Sequence, residues 1–122
     1  MSNQNKFPDV FKKLKSILTP YAKKMTVKTD TPETYYLDGP YSAKWKKEVF
    51  FGSVQIKKNY VSFYLMPVYM CPDLLEHISP ELKKHMQGKS CFNFKTVNQT
   101  LFDELNQLTK QGFKRFTEEI NL

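Results

Sequence analysis

The sequence predicts a single α+β domain in which a twisted, mostly antiparallel sheet carries an N-terminal and a C-terminal helix packed on one face. Three observations predict it. Phe7, Val10, Phe11, Leu14, Ile17, Leu18 and Tyr21 recur at spacings of three and four with lysines between them, so residues from about 8 to 19 form an amphipathic helix. Leu101, Phe102, Leu105, Leu108, Phe113, Phe116 and Ile120 repeat that spacing near the other end of the chain. Between them, Glu48 to Met66 reads as two strands joined by a tight turn.

In order along the chain, Pro8 suits the first turn of the first helix, and Thr19-Pro20 restarts it to about Met25. Thr26 to Lys28 and Thr34 to Leu37 are short extended pieces separated at Thr31-Pro32, and Asp38-Gly39-Pro40 predicts a turn. In the hairpin, a two-residue loop at Lys58-Asn59 sets Ile56 opposite Val61, Val54 opposite Phe63 and Gly52 opposite Leu65, with Phe50 extending the same aliphatic row. Lys58 is a poor residue for the positive φ of a type I′ turn. The second face then carries Phe51, Ser53, Gln55, Lys57, Ser62, Tyr64 and Met66, too aromatic for plain solvent and too polar for a sealed core.

After the hairpin, Pro72 to Ile78 predicts one or two helical turns. Ser79 caps a further helix with Pro80 at its first position, Leu82 and Met86 face inward, and Gly88 ends it. Ser90 to Lys95 alternates as a strand, Cys91 and Asn93 on one face and Phe92 and Phe94 on the other. Thr100 is the expected cap of the last helix, with Gly112 its weak point.

At 122 residues the chain fits one domain, 1–122, with a core from about 7 to 116, large enough to bury about two-thirds of its unfolded surface. Cys71 and Cys91 lack CxxC spacing, and the polar lead-in Met1 to Lys6 has no apolar core of a signal peptide, so a reducing, cytoplasmic setting is expected. No apolar run approaches the roughly 20 residues of a membrane span. The net charge is +7, but Arg115 is the single arginine against 18 lysines. Lysine acts as a solvated point charge where arginine forks onto phosphate, so a lysine-rich surface is a better reading than a nucleic-acid face.

Catalytic motifs do not emerge. His77 and His85 belong to no HxxxH or HExxH pattern, and no Gly-x-Ser-x-Gly elbow or Cys-His pair is placed by spacing. Gln87-Gly88-Lys89-Ser90 resembles the tail of a P-loop, but its leading glycine falls at Lys83. Asp73, Glu76, His77 and Glu81 cluster in sequence as candidate ligands for a hard cation, although negative charge also suits the first turns of two helices. Polar-tipped rings are the other conspicuous feature. Tyr36, Tyr41, Trp45, Tyr64 and Tyr69 are candidate walls of a ligand site, with Lys89, Ser90 and Asn93 as its polar contacts.

Three segments together resemble the YdhG-like family of small bacterial domains, mostly of unknown function. Tyr36-Leu37-Asp38-Gly39-Pro40-Tyr41 is similar to that family's Tyr-Gly-x-Pro-x-Phe stretch with one residue inserted, Lys58-Asn59-Tyr60-Val61-Ser62-Phe63-Tyr64 to its Lys-Asn-His-Ile-Gly-Phe-Tyr hairpin, and Gly88-Lys89-Ser90-Cys91-Phe92-Asn93-Phe94 to its Gly-Lys-Ser-x-x-Phe turn and strand. The order and spacing hold from about Phe7 to Phe116. The resemblance implies an α+β domain without assigned catalysis, some of whose members are described as frataxin-like iron chaperones. Here the family's hairpin histidine is replaced by Tyr60 and the acids are dispersed.

The expected function is therefore a non-enzymatic binding domain without a cofactor, holding a small molecule or protein on the aromatic face of its sheet. Frataxin-like iron binding through Asp73, Glu76, His77 and Glu81 is the alternative, and weak, non-specific nucleic-acid binding through lysines the second.

Overall fold

Helical spacing at the two ends and alternation in the middle build one helical layer on one sheet. The structure, a computed structural model, describes residues 6–120, so the polar lead-in lies outside the described residues apart from Lys6. The chain runs α1 (Phe7–Leu18), β1 (Thr26–Asp30), β2 (Thr34–Ser42), β3 (Lys47–Ile56), β4 (Val61–Leu65), α2 (Met66–Met70), α3 (Pro80–Lys83), β5 (Cys91–Phe94) and α4 (Gln99–Glu119), with 3₁₀ turns at Thr19–Lys24 and Pro72–Leu75. The strands lie in the order β1-β2-β3-β4-β5, each antiparallel to the next. This is the expected α+β architecture.

The hairpin has the expected register: Gly52 opposes Leu65, Val54 opposes Phe63 and Ile56 opposes Val61. Its turn avoids the strained backbone. Lys46 is the one non-glycine residue with positive φ among the described residues, so Lys58 and Asn59 close the loop without a type I′ turn, and the Lys57 N–H donates to the Tyr60 carbonyl at 2.8 Å.

Two bulges alter what alternation alone predicts. Leu37 pairs with Gly52 and Asp38 with Phe50, leaving Phe51 as an extra residue on β3. Parity switches there, so Phe51 and Gly52 both face the helices while Phe50 turns to the other side. Phe51 is fully buried against Phe113 and Phe116 of α4, and a Cβ on Gly52 would come 3.0 Å from Leu18 of α1. The expected positions of Phe50 and Phe51 are thus exchanged. On β2, Asp38-Gly39-Pro40 is strand and not turn. The register slips by one residue between Asp38 and Tyr41, and the chain reverses later, at Ala43 to Lys46, where Lys46 takes φ 59° and its N–H donates to Ser42 O at 2.6 Å.

α1 buries Phe7, Val10, Phe11, Leu14, Ile17 and Leu18 against β3 and β4. Each such side chain contributes roughly 1.5–3 kcal/mol by leaving water. α4 packs beside it, and Gly112 is a contact point: its missing Cβ leaves room for Pro67 of α2, which would stand 3.0 Å from that atom. Asn98, not Thr100, caps α4, its side-chain oxygen accepting from the Leu101 N–H at 3.1 Å. Ser79 caps α3 as expected, accepting from the Leu82 N–H at 3.1 Å, while its own N–H and hydroxyl donate to Glu104 at 2.6 Å. Met66–Met70 is helical, with Pro67 in the first turn where its missing N–H has no consequence. No helix among the described residues is long and apolar enough to cross a membrane.

Residues 85–87 cover the outer edge of β5. Asn93 N–H donates to His85 O at 2.8 Å and Gln87 N–H to Cys91 O at 2.9 Å, satisfying backbone groups that an edge strand would leave open.

Candidate binding face

Because the helices pack on one side of the sheet, the alternate side chains of β2 to β5 form a face that no helix among the described residues covers. Register places two rows across it. Tyr36, Ser53, Tyr64 and Cys91 are successive partners through four strands, and Thr34, Gln55, Ser62 and Asn93 form the next row. The β3 bulge adds Phe50, whose ring centroid lies 4.7 Å from that of Tyr36. Small residues sit between large ones. Ser53 and Ser62 are buried below the half-buried Tyr36, Phe50 and Tyr64, which form a shallow aromatic platform.

The polar groups around this platform bond one another. Ser62 Oγ donates to Asn93 Oδ1 at 2.7 Å, Cys91 Sγ to the same oxygen at 3.2 Å, and Asn93 Nδ2 to Gln87 Oε1 at 2.7 Å. Gln55 Nε2 donates to Ser53 Oγ at 3.1 Å and accepts at Oε1 from Lys57 Nζ at 2.7 Å. Burial raises the pKa of the Tyr36 and Tyr64 hydroxyls and of the Cys91 thiol, so the neutral forms dominate at neutral pH. Asp38 shares the face, its carboxyl raised by burial and drawn back by Lys28, which is itself paired with Glu48 at 3.0 Å. The arrangement is suited to stacking and hydrogen bonding.

The eight expected ligand-site residues do not line one pocket. Tyr36, Tyr64 and Asn93 meet on the platform. Tyr41 pairs with Glu48 at its far end and is 66% exposed. Trp45 lies in the β2–β3 turn, its indole N–H donating to Glu119 O at 3.1 Å, so its order comes from the end of α4. Tyr69 and Lys89 lie instead on a groove beside α2, and the Ser90 carbonyl accepts the Leu65 N–H at 2.9 Å. The structure therefore brings Tyr36, Tyr64 and Asn93 together, sets Tyr69 and Lys89 on the groove, and leaves Tyr41, Trp45 and Ser90 apart from both.

The four candidate cation ligands are also apart. Asp73 binds the Arg115 guanidinium at 2.7 and 3.3 Å, which holds its carboxyl below the usual range. Glu76, His77 and Glu81 are exposed, and no group of three or more His, Cys, Asp or Glu able to hold a metal forms among the described residues.

Phe50 on the platform and His85 at the edge of β5 escaped sequence reasoning. Phe50 was hidden by the bulge, for which the Phe-Phe-Gly run was the available signal, since glycine inside a strand often marks one. His85 had no signal at all. It stacks on Phe94 with centroids 4.5 Å apart, and its Nδ1–H donates to Asn93 O at 2.8 Å, at the rim of a recess of about 460 Å³ shared with Tyr60, Met86, Gln87 and Lys95.

No family model, curated protein or solved structure matches this chain.

Proposed function

We propose that this chain is a non-enzymatic binding module whose ligand or partner lies across the helix-free face, over Tyr36, Phe50 and Tyr64. The observation that carries this reading is the uncovered row of rings set over small buried serines. Aromatic contacts contribute about 0.5–1.5 kcal/mol each beyond area burial, so three rings on a rigid sheet favour a planar or extended apolar group. The internally bonded Ser62, Cys91, Asn93 and Gln87 hold that surface in shape without spending side-chain entropy on binding. Charges on the face are of both signs, Lys28 with Glu48 and Asp38, so it does not select for phosphate. The three segments that resemble the YdhG-like family supply Tyr36, Tyr64 and Asn93 to this face, which supports the same reading.

Titration with planar aromatic compounds, indole and adenosine among them, followed by backbone amide NMR, tests it. Saturable shifts at residues 36, 50, 53, 62, 64 and 93 are expected, and Tyr64→Leu, which keeps apolar bulk but removes the ring, abolishes them while retaining the fold. Shifts that fall elsewhere, or that survive in Tyr64→Leu, would overturn the proposal.

A further inference from the structure

A second site lies away from the platform. α2, the Pro72–Leu75 turn and the segment after α3 enclose a groove of about 460 Å³, within the range of small-molecule sites. Its walls are apolar: Val68, Tyr69, Leu75 and Met86 line it. Tyr69 is 56% exposed although its ring is large, and Leu75 and Met86 are only partly buried against the core. Two cations, Lys83 and Lys89, stand in the lining, and no carboxylate does. Gly88, at φ 81°, turns the chain between Met86 and Lys89 and leaves open space where a side chain would stand.

The geometry points to a binding site for a small amphipathic carboxylate, its apolar tail along Tyr69, Leu75 and Met86 and its anionic head at Lys83 and Lys89. Charge complementarity selects this occupant. An apolar peptide or a neutral hydrocarbon would fill the walls but leave both ammonium groups unused, whereas a carboxylate accepts charge-assisted hydrogen bonds from them. The tail supplies affinity in proportion to its length, about fourfold for each methylene that leaves water. This site is independent of the sheet face, so the fate of either reading leaves the other standing.

Octanoate, hexanoate and octan-1-ol serve as probes, with the full chain labelled at its methionine methyl groups. The Met86 methyl borders both the groove and the recess beside His85, so the lysine variant below decides between them, and Met25 and Met66, which line neither, act as references. Octanoate is expected to shift Met86 saturably, more tightly than hexanoate, and about tenfold more tightly than octan-1-ol. Lys83→Gln with Lys89→Gln changes two exposed residues, and it is expected to bring octanoate and octan-1-ol to equal affinity. The proposal is overturned by an unmoved Met86 methyl at millimolar octanoate, by equal binding of acid and alcohol to the native chain, or by a preference for the acid that survives loss of both lysines.

Discussion

Replacing Gly39 with alanine tests how the β2 bulge and α4 fit together. A Cβ at this position would stand 2.8 Å from two ring carbons of Phe116 and 3.1 Å from the Val49 carbonyl oxygen. Carbon atoms rest at about 3.5–4.0 Å, so the ring has to move by nearly 1 Å or the strand has to bend. Neither is easy. Phe116 is fully buried and packs on Phe51 with centroids 5.0 Å apart, while the neighbouring strand segment is tied to α4 through Ser42 Oγ, which donates to Ile120 O at 2.8 Å. Overpacking of this kind costs about 1–3 kcal/mol. For a chain of this size that is a fall in Tm of roughly 4 to 15 °C, with a matching drop in the urea midpoint at unchanged slope. Repeating Gly39→Ala in a Phe116→Leu background identifies the cause, because the smaller side chain has room to yield, and the cost there is expected to fall by about half or more. A Gly39→Ala protein within about 0.5 kcal/mol of the native chain, or one whose loss is the same in both backgrounds, would refute the reasoning.

The β3 bulge makes an unequal pair of two adjacent phenylalanines: Phe51→Ala is expected to cost about 3–5 kcal/mol as a core cavity, and Phe50→Ala roughly 1 kcal/mol or less, measured by urea unfolding. The reverse order would mean that parity does not switch at Phe51. The Asp73–Arg115 pair predicts an acid limb. Hydrogen bonding to the guanidinium lowers the Asp73 pKa in the fold, so the stability it gives is complete above the unfolded-chain value of ~3.9 and is lost as pH falls through the lower folded value. Asp73→Asn is therefore expected to shift Tm by a constant amount between about pH 5 and 7 and by progressively less below about pH 4; a difference that widens in acid would contradict the pairing.

Much of the fold was legible because local rules agreed with global ones. The hairpin register followed from putting Val54, Ile56, Val61, Phe63 and Leu65 on one side, and a slip of one residue would have exposed them all. The Ser79 cap, the Gly88 turn and the two amphipathic helices were likewise fixed by residues a few positions apart. The candidate site was legible in part. Alternation set Tyr64 on the second face of the hairpin and Asn93 beside Cys91, but Tyr36, Tyr41, Trp45, Tyr69, Lys89 and Ser90 were grouped with them by chemistry alone, and chemistry carries no coordinates.

The sequence by itself determined the α+β class, the antiparallel hairpin and which residues are apolar enough to build the core, since these depend on spacing within a segment. Tertiary structure decided the rest. Phe51 faces inward because Gly52 lets α1 approach and the bulge lets two successive residues point the same way, and strand Asp38-Gly39-Pro40 stays extended because Phe116 fills the space above its glycine. Asp73 became half of an ion pair because α4 brings Arg115 to it from 42 residues away. Each of these depends on contact between elements distant in the chain, where the energy of packing outweighs the local preference of any one residue.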